Sequence, residues 1–170
     1  MFEIEQTYSV AGLTVLSRAA RKTVRSGWSL LLRIVLWGIF ALGVALNALL
    51  LLWGGTPNLW SLVIFPALLA LLLLEDRLNA WISMRMLLPG SAHSVTVFTT
   101  DAYTVTTDTT ETIYQYENIT NLCEAEGFFI FFLGNRHGQM FDKSGFYVGD
   151  CDEFRTFIEQ KTEKTFKKIR

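Results

Sequence analysis

The sequence is poor in the residues that build metal, redox and nucleic-acid sites. Its 170 residues include two cysteines, Cys123 and Cys151, and two histidines, His93 and His137. None of these has metal-ligand or CxxC spacing. The sequence has no phosphate-binding glycine loop and no HExxH motif. Its formal net charge of -1 shows no excess of basic residues of the kind that binds nucleic acid. We therefore expect no cofactor, no metal, no nucleic-acid partner and no enzymatic activity.

Two chemical alternatives stay open. Cys123, Cys151 and His137 could form a metal site, and Glu124 and Glu126 could share one face of a strand as an acid/base pair. Buried small thiols and a solvated acidic face are the commoner explanations of such residues. No disulfide framework is indicated, and a cytosolic location would keep both thiols reduced.

Two long apolar runs dominate the first half of the chain. They cover residues 28–53 and 59–74, with an uncharged turn-forming loop at 54–58. About 20 such residues cross a bilayer core, and the 27 residues before the first run argue against a cleavable signal peptide. After the second run, apolar residues recur at helical spacing until Pro89, which predicts one helix from Leu59 to Leu88.

This pattern predicts a transmembrane hairpin at 28–90, with spans at about 28–53 and 59–76 and a cytoplasmic helical stalk. Lys and Arg flank the hairpin and are missing from its loop, so the positive-inside rule places both termini in the cytoplasm of a multi-pass protein. Three tryptophans are predicted to anchor it at the membrane interfaces: Trp28, Trp53 and Trp60.

Polar residues are scarce within these runs. Asn47 is the amide deep in the first run, and it could bond to a second copy of the chain. Arg33 lies near the inner end, from which its side chain could reach the headgroups. Because conduction pathways need intramembrane polar groups, the hairpin is interpreted as an anchor.

The first 27 residues form a separate predicted segment. Alternation from Phe2 to Tyr8 predicts a short strand, and a basic amphipathic helix follows it. Its cations could face anionic lipid, or the helix could pack on the soluble domain. The residues of this basic cluster are Arg18, Arg21, Lys22 and Arg25.

Residues 91–170 are predicted to form a small antiparallel sheet or barrel capped by a terminal helix. The predicted strands are 93–99, 102–107, 111–116, 118–125, 128–133 and 139–142. Asp150 and Glu153 have the spacing of a capping box, and the apolar stripe of the helix continues to Phe166 and Ile169. The strand rich in phenylalanine at 128–133 should be covered on both faces.

Four short motifs resemble those of the YcxB-like bacterial membrane proteins. They are Tyr116–Ile119, Phe128–Phe132, Phe141–Lys143 before Phe146, and Phe154–Phe157. Asp142 stands where that family usually carries proline. The resemblance implies a bacterial plasma-membrane protein whose cytoplasmic domain is similar to the pleckstrin-homology (PH) fold, and it brings no known catalytic residues.

The fold expected is therefore an α+β membrane protein, with a two-helix hairpin joined to a PH-like domain. We expect a non-enzymatic, membrane-anchored protein-interaction or regulatory module, with the lipid bilayer and a protein partner or a homo-oligomer as its contacts. An anionic-lipid sensor and a small accessory subunit of a transporter or channel are the alternatives.

Overall fold

The computed structural model describes residues 1–24, 26–56, 59–134 and 137–169, and the side chains of residues 26, 28, 29, 59 and 62 lie outside that description. The described residues form an α+β fold with four α-helices and two sheets. The helices are α1 (Val10–Thr23), α2 (Ser26–Leu52), α3 (Leu59–Met86) and α4 (Cys151–Thr162). The strands are β1 (Phe2–Thr7), β2 (His93–Phe98), β3 (Ala102–Thr107), β4 (Glu111–Gln115), β5 (Asn121–Ala125), β6 (Phe128–Leu133), β7 (His137–Asp142), β8 (Phe146–Val148) and β9 (Lys167–Lys168).

The N-terminal strand lies inside the five-stranded sheet, whose order is β4-β3-β2-β1-β8. It pairs antiparallel with β2, from Phe2 opposite Phe98 to Thr7 opposite His93. Helices α1, α2 and α3 are thus inserted between two neighbouring strands. The boundaries of the three predicted segments, 1–27, 28–90 and 91–170, stay predictions. However, β1 of the first segment belongs to the sheet formed by the third.

The second sheet has the order β7-β6-β5-β9 and carries a core on each face. Along β6, Phe129 and Phe131 join one core with Phe154 of α4. Ile130 and Phe132 join the other core with residues of α1. This alternation follows from the strand period of two, and it confirms the prediction that both faces of this strand are covered.

Helix α3 is continuous past the end of its apolar run. It extends beyond Glu75 and Asp76 and ends at Met86, close to the predicted Leu88. Its last residues are amphipathic, with Ala80 fully buried and Trp81 about half exposed. The predicted helical continuation of the second run is therefore confirmed.

The prediction that the terminal helix continues to Ile169 is wrong. Helix α4 begins after Asp150, whose side chain accepts a hydrogen bond from the Asp152 amide, and it ends at Thr162. Glu163 follows in the left-handed conformation at φ 54°, which closes helices. Phe166 and Ile169 then lie in opposite cores, on either side of β9, because strand residues alternate.

One helix of the described residues is long and apolar enough to cross a membrane, judged by length and composition. It is α2, over Leu30–Leu52, and none of this stretch is buried within the protein. This finding supports membrane association weakly. The second span, in α3, stays a prediction, as do the multi-pass topology and the cytoplasmic termini.

Candidate functional site

A cavity lies where the helices meet both sheets. Its volume is about 610 Å³, within the range of roughly 300–1,000 Å³ that ligand sites occupy. Helices α1 and α3 form one side, and strands β3, β4 and β7 form the other. We call it the junction cavity.

The junction cavity combines apolar, uncharged polar and, at its edge, charged side chains. Leu16, Ala20 and Phe132 contribute the apolar surface, and Thr112 and Gln139 are among the polar side chains. Gln139 is buried, and its Oε1 accepts a hydrogen bond from the Tyr103 hydroxyl at 2.7 Å. These groups suit binding by shape and hydrogen bonding.

Tyr8 also lines the junction cavity. Burial raises the pKa of its phenol above the usual value, and the neighbouring Tyr114 adds to this. The Tyr8 hydroxyl therefore stays protonated at neutral pH and remains a hydrogen-bond donor.

Two adjacent carboxylates of α3 bind one arginine each at the edge of this cavity. The Arg21 guanidinium of α1 donates to both carboxylate oxygens of Asp76, at 3.0 and 2.6 Å. Arg33 of α2 donates to the Leu72 carbonyl at 3.1 Å and lies 3.5 Å from the Glu75 carboxylate. We call Arg21, Arg33, Glu75 and Asp76 the charge layer. It joins α1, α2 and α3 at one level of the molecule.

The charge layer gives two of the predicted residues partners within the protein. Arg33 contacts α3, and its predicted reach to the headgroups stays a prediction. The hydrogen bond to Asp76 holds the pKa of Arg21 above its usual value. A bidentate arginine–carboxylate pair has a defined orientation, so Arg21 positions α1 against α3.

The residues of the basic cluster, which were predicted to face lipid, have different surroundings in the structure. Arg18 pairs with Glu126 and Arg21 pairs with Asp76. Lys22 is exposed, and Arg25 lies outside the described residues. The lipid-facing role stays a prediction, and two of its four cations already have carboxylate partners.

Glu124 and Glu126 do not lie together on a strand face as predicted. Strand β5 ends at Ala125, and Glu126 adopts a positive φ of 43° before Gly127 at 85°. Two successive positive φ values are typical of a tight hairpin turn. The two carboxylates bind different cations, so the acid/base hypothesis loses its geometric basis.

Glu124 is the centre of a second ion-pair group. Its Oε1 accepts hydrogen bonds from the Lys143 ammonium and, at 2.5 Å, from the Arg155 guanidinium. Burial raises the pKa of Glu124, but hydrogen bonds and charge from Lys143 and Arg155 outweigh that effect and hold it below the usual value. Lys143 also lies over the Phe129 ring at 4.6 Å. This group ties β5, the turn after β7 and α4 together.

The thiols and histidines form no metal centre in the described part of the chain, where no group of three or more His, Cys, Asp or Glu side chains could hold an ion. Cys123 belongs to the core beside α1, and Cys151 packs against the core beside α4. Burial raises the pKa of both thiols, which lowers their reactivity at neutral pH.

The predicted membrane anchors are only partly described. Trp53 is 80% exposed and Trp60 71% exposed, and they lie just after α2 and near the start of α3. The Trp28 side chain lies outside the described part. The interfacial role of all three stays a prediction.

Sequence reasoning missed the charge layer and the junction cavity. Glu75 and Asp76 stand directly at the end of an apolar run and beside Arg77, which is the one sequence signal for them. Their pairing with Arg21 and Arg33 depends on how three helices pack. The cavity depends on how α1 and α3 lie beside β3, β4 and β7, which no local pattern encodes.

The family model of YcxB-like proteins matches residues 98–158. This segment runs from the end of β2 into α4 and contains the Glu124 group, so the resemblance carried by its four motifs is confirmed there. The match does not include β1, α1, α2 or α3. No curated protein and no solved structure matches the chain.

Proposed function

We propose that this YcxB-like protein is a membrane-anchored, non-enzymatic interaction module. Helices α2 and α3 form a two-span hairpin in the bacterial plasma membrane, and the two sheets with α4 form a cytoplasmic, PH-like domain. A protein partner binds in the junction cavity. The observation that carries this proposal is the position of that cavity, between the helix that leaves the membrane and the sheets.

Contacts between α2 and α3 support the hairpin. A Cβ atom at Gly43 would lie 2.0 Å from the Phe65 ring, so a larger residue there would displace that ring. The Ser61 hydroxyl donates to the Asn47 side chain at 3.0 Å, and Asn47 donates to the Gly43 carbonyl at 2.9 Å. Asn47 thus uses its polar groups within the hairpin, which favours an anchor over a conduction pathway.

The charge layer supports a functional connection between the hairpin and the domain. Arg21 is about one-fifth exposed, and so is Asp76, so their interaction is weakly screened by solvent. Helix α1 contacts the second sheet through Val15 and Ala19. Displacement of α3 would therefore be transmitted to the sheets through α1.

Topology can be tested by cysteine labelling in intact cells. In a Cys123→Ala, Cys151→Ser background, Thr56→Cys should react with a membrane-impermeant maleimide from outside. Ser144→Cys should react only after lysis. Labelling of both sites before lysis, or of neither before lysis, would contradict the hairpin.

Partner binding can be tested by photo-crosslinking from single positions of the full chain. A photoreactive residue at Ser83 or Thr112, which line the junction cavity, should give a discrete protein adduct in cells. The same residue at the exposed Gln160 of α4 is the control. Equal adducts at all three positions would argue against the cavity as the binding site.

The paired state of Arg18 and Arg21 favours this proposal over the anionic-lipid alternative. Each guanidinium already donates to a carboxylate, and the bidentate pair with Asp76 leaves Arg21 fewer N–H groups for a lipid phosphate. The lipid alternative can be compared by measuring how the protein binds to vesicles that contain anionic lipid. Lipid binding of that kind depends strongly on salt concentration.

A further inference from the structure

The two sheets of the described chain have four terminal strands, which are β4, β8, β7 and β9. Proteins protect such edges with short strands, bulges, lysines or covering groups, because an open edge pairs readily with another chain. β8 has three residues and a register shift against β1, and β9 consists of two lysines. At β7, the Gln6 side chain accepts a hydrogen bond from the Asp142 amide at 3.1 Å. Three of the four edges are therefore protected.

Strand β4 lacks these protections. Its five residues, Glu111–Gln115, include no lysine and no proline, and they pair with β3 in a continuous register without a bulge. In the part of the chain that the structure describes, β4 pairs with β3 alone. Ile113, at the centre of the strand, is 65% exposed. β4 thus offers a regular edge of the kind to which an extended chain can add.

The turn before β4 determines which of its backbone groups are free. The Thr107 amide donates to the Thr110 carbonyl at 2.8 Å and closes a two-residue loop. Hydrogen-bonded and non-hydrogen-bonded pairs alternate along an antiparallel ladder, so Thr112 and Tyr114 form the next bonded pairs with β3. The other three residues of the strand point their N–H and C=O groups away from β3. We call these six groups the β4 edge, and they belong to Glu111, Ile113 and Gln115.

The β4 edge borders the junction cavity. Successive side chains of a strand point to opposite faces, and Thr112 and Tyr114 of β4 line the cavity. A strand paired with the β4 edge would extend this sheet and place every second side chain on the same face as these two residues. Contacts of those side chains in the cavity would add selectivity to the backbone hydrogen bonds.

The charge around β4 favours a basic occupant. Between Arg85 and Arg136 the sequence contains no Lys or Arg. Asp108, Glu111 and Glu117 lie at both ends of β4 and are exposed, and none of them forms an ion pair among the described residues. Opposite charges across paired strands stabilise a sheet, and like charges destabilise it. A second copy paired through the same edge would bring its own acidic residues to these, and anionic lipid would be repelled.

We propose that the β4 edge binds an extended, basic segment of the protein partner as a sixth strand of the five-stranded sheet. The segment has uncharged residues opposite β4 and Lys or Arg at both of its ends. Its backbone satisfies the β4 edge, which lipid chains and helices cannot do because they offer no free backbone groups. The inference rests on the proposed function, since it names the part of the partner that reaches the junction cavity.

Two synthetic peptides test this with the full chain in mild detergent. Both have a core of alternating Val and Thr, flanked by lysines in one and by glutamates in the other. The lysine-flanked peptide should bind about tenfold more tightly by fluorescence anisotropy, and salt should reduce the difference. Its binding should slow hydrogen exchange of the Ile113 amide, which belongs to the β4 edge. The Thr112 amide, already bonded to β3, should show no change.

Two sets of variants separate backbone pairing from charge. Ile113→Pro removes one N–H of the β4 edge and keeps the bonds to β3, so it should weaken peptide binding about tenfold. Ile113→Ala keeps that N–H and is the matched control. The double variant Glu111→Lys, Glu117→Lys should make the glutamate-flanked peptide the tighter ligand. Glu163→Lys, at an exposed position after α4, should leave the preference unchanged.

Equal affinity for both peptides, binding of neither, or unchanged affinity in Ile113→Pro would overturn the proposal. If Ile113→Pro fails to fold, the reversal of preference in the double charge variant still decides it. A dimeric mass by light scattering that becomes monomeric in Ile113→Pro would overturn it in favour of a second copy at this edge. Photo-crosslinking from Ser83 reports on the cavity separately, so protein adducts there without peptide binding would leave the proposed function standing.

Discussion

Glu124 is the residue at which three elements of the sheet domain converge. Its side chain is only 11% exposed, and it binds cations from the turn after β7 and from α4. Lys143 belongs to one of the four motifs that carry the family resemblance. Its contacts with Glu124 and the Phe129 ring give that motif a structural role.

Replacement of Glu124 by Gln should destabilise the protein by about 2 kcal/mol, in the range of hydrogen bonds to charged groups. The change leaves Lys143 and Arg155 without their shared carboxylate. Thermal unfolding of the purified full chain would measure it. Glu126→Gln is the matched control, since the exposed pair with Arg18 should contribute at most about 1 kcal/mol, and equal losses would contradict this account.

The Glu124 carboxylate should also make the stability of the folded protein depend on pH. The native pKa of Glu124 is below its ordinary value of 4.5, so the unfolded chain binds the proton more readily. The stabilisation is complete above pH 4.5 and is lost as the pH falls through the native pKa. The melting temperature should therefore fall more in the wild type than in Glu124→Gln between pH 6 and pH 3. Parallel curves for the two proteins would contradict the assignment.

At the scale of elements, the end of α4 shows how a single residue interrupts a pattern. Phe166 and Ile169 continue the apolar spacing of the helix, which explains why the sequence predicts helix there. Glu163 at φ 54° ends it instead. A left-handed conformation costs a residue with a Cβ atom about 1 kcal/mol.

Glu163→Gly should therefore stabilise the protein by up to about 1 kcal/mol, or roughly 2–4 °C in melting temperature. Glycine adopts the positive φ without steric cost. Gln160→Gly, at an exposed position within α4, should have the opposite sign and a similar size. Stabilisation by both changes, or by neither, would show that the backbone at Glu163 is not the cause.

The strands illustrate what local patterns determine. β3 and β6 have the predicted bounds because alternation and turn residues define them locally. β8 and β9 have three and two residues, too few for a periodic signal. The α3 helix was predictable from its spacing, whereas its partners Arg21 and Arg33 were not, because they are distant in sequence.

At the scale of the whole molecule, the chain leaves the sheet domain and returns to it. β1 and β2 are neighbours in the sheet although three helices separate them in sequence. The sequence pattern predicts β1 as part of a separate N-terminal segment, since strand pairing over this distance leaves no local trace. Helices α1, α2 and α3 are thus a long insertion into one sheet domain, between two strands that are neighbours in the sheet.

This topology predicts that residues 91–170 do not fold alone. Without β1 the five-stranded sheet loses an inner strand, and without α1 the core beside β6 is uncovered. A fusion of residues 1–24 to 91–170 through a flexible linker restores both elements, and the entropic cost of closing such a loop grows only slowly with its length. The fusion should show a cooperative thermal transition by near-UV circular dichroism, and the 91–170 fragment should not. A fragment 91–170 that unfolds as cooperatively as the fusion would show that β1 is dispensable. Helices α1, α2 and α3 would then precede an independent domain.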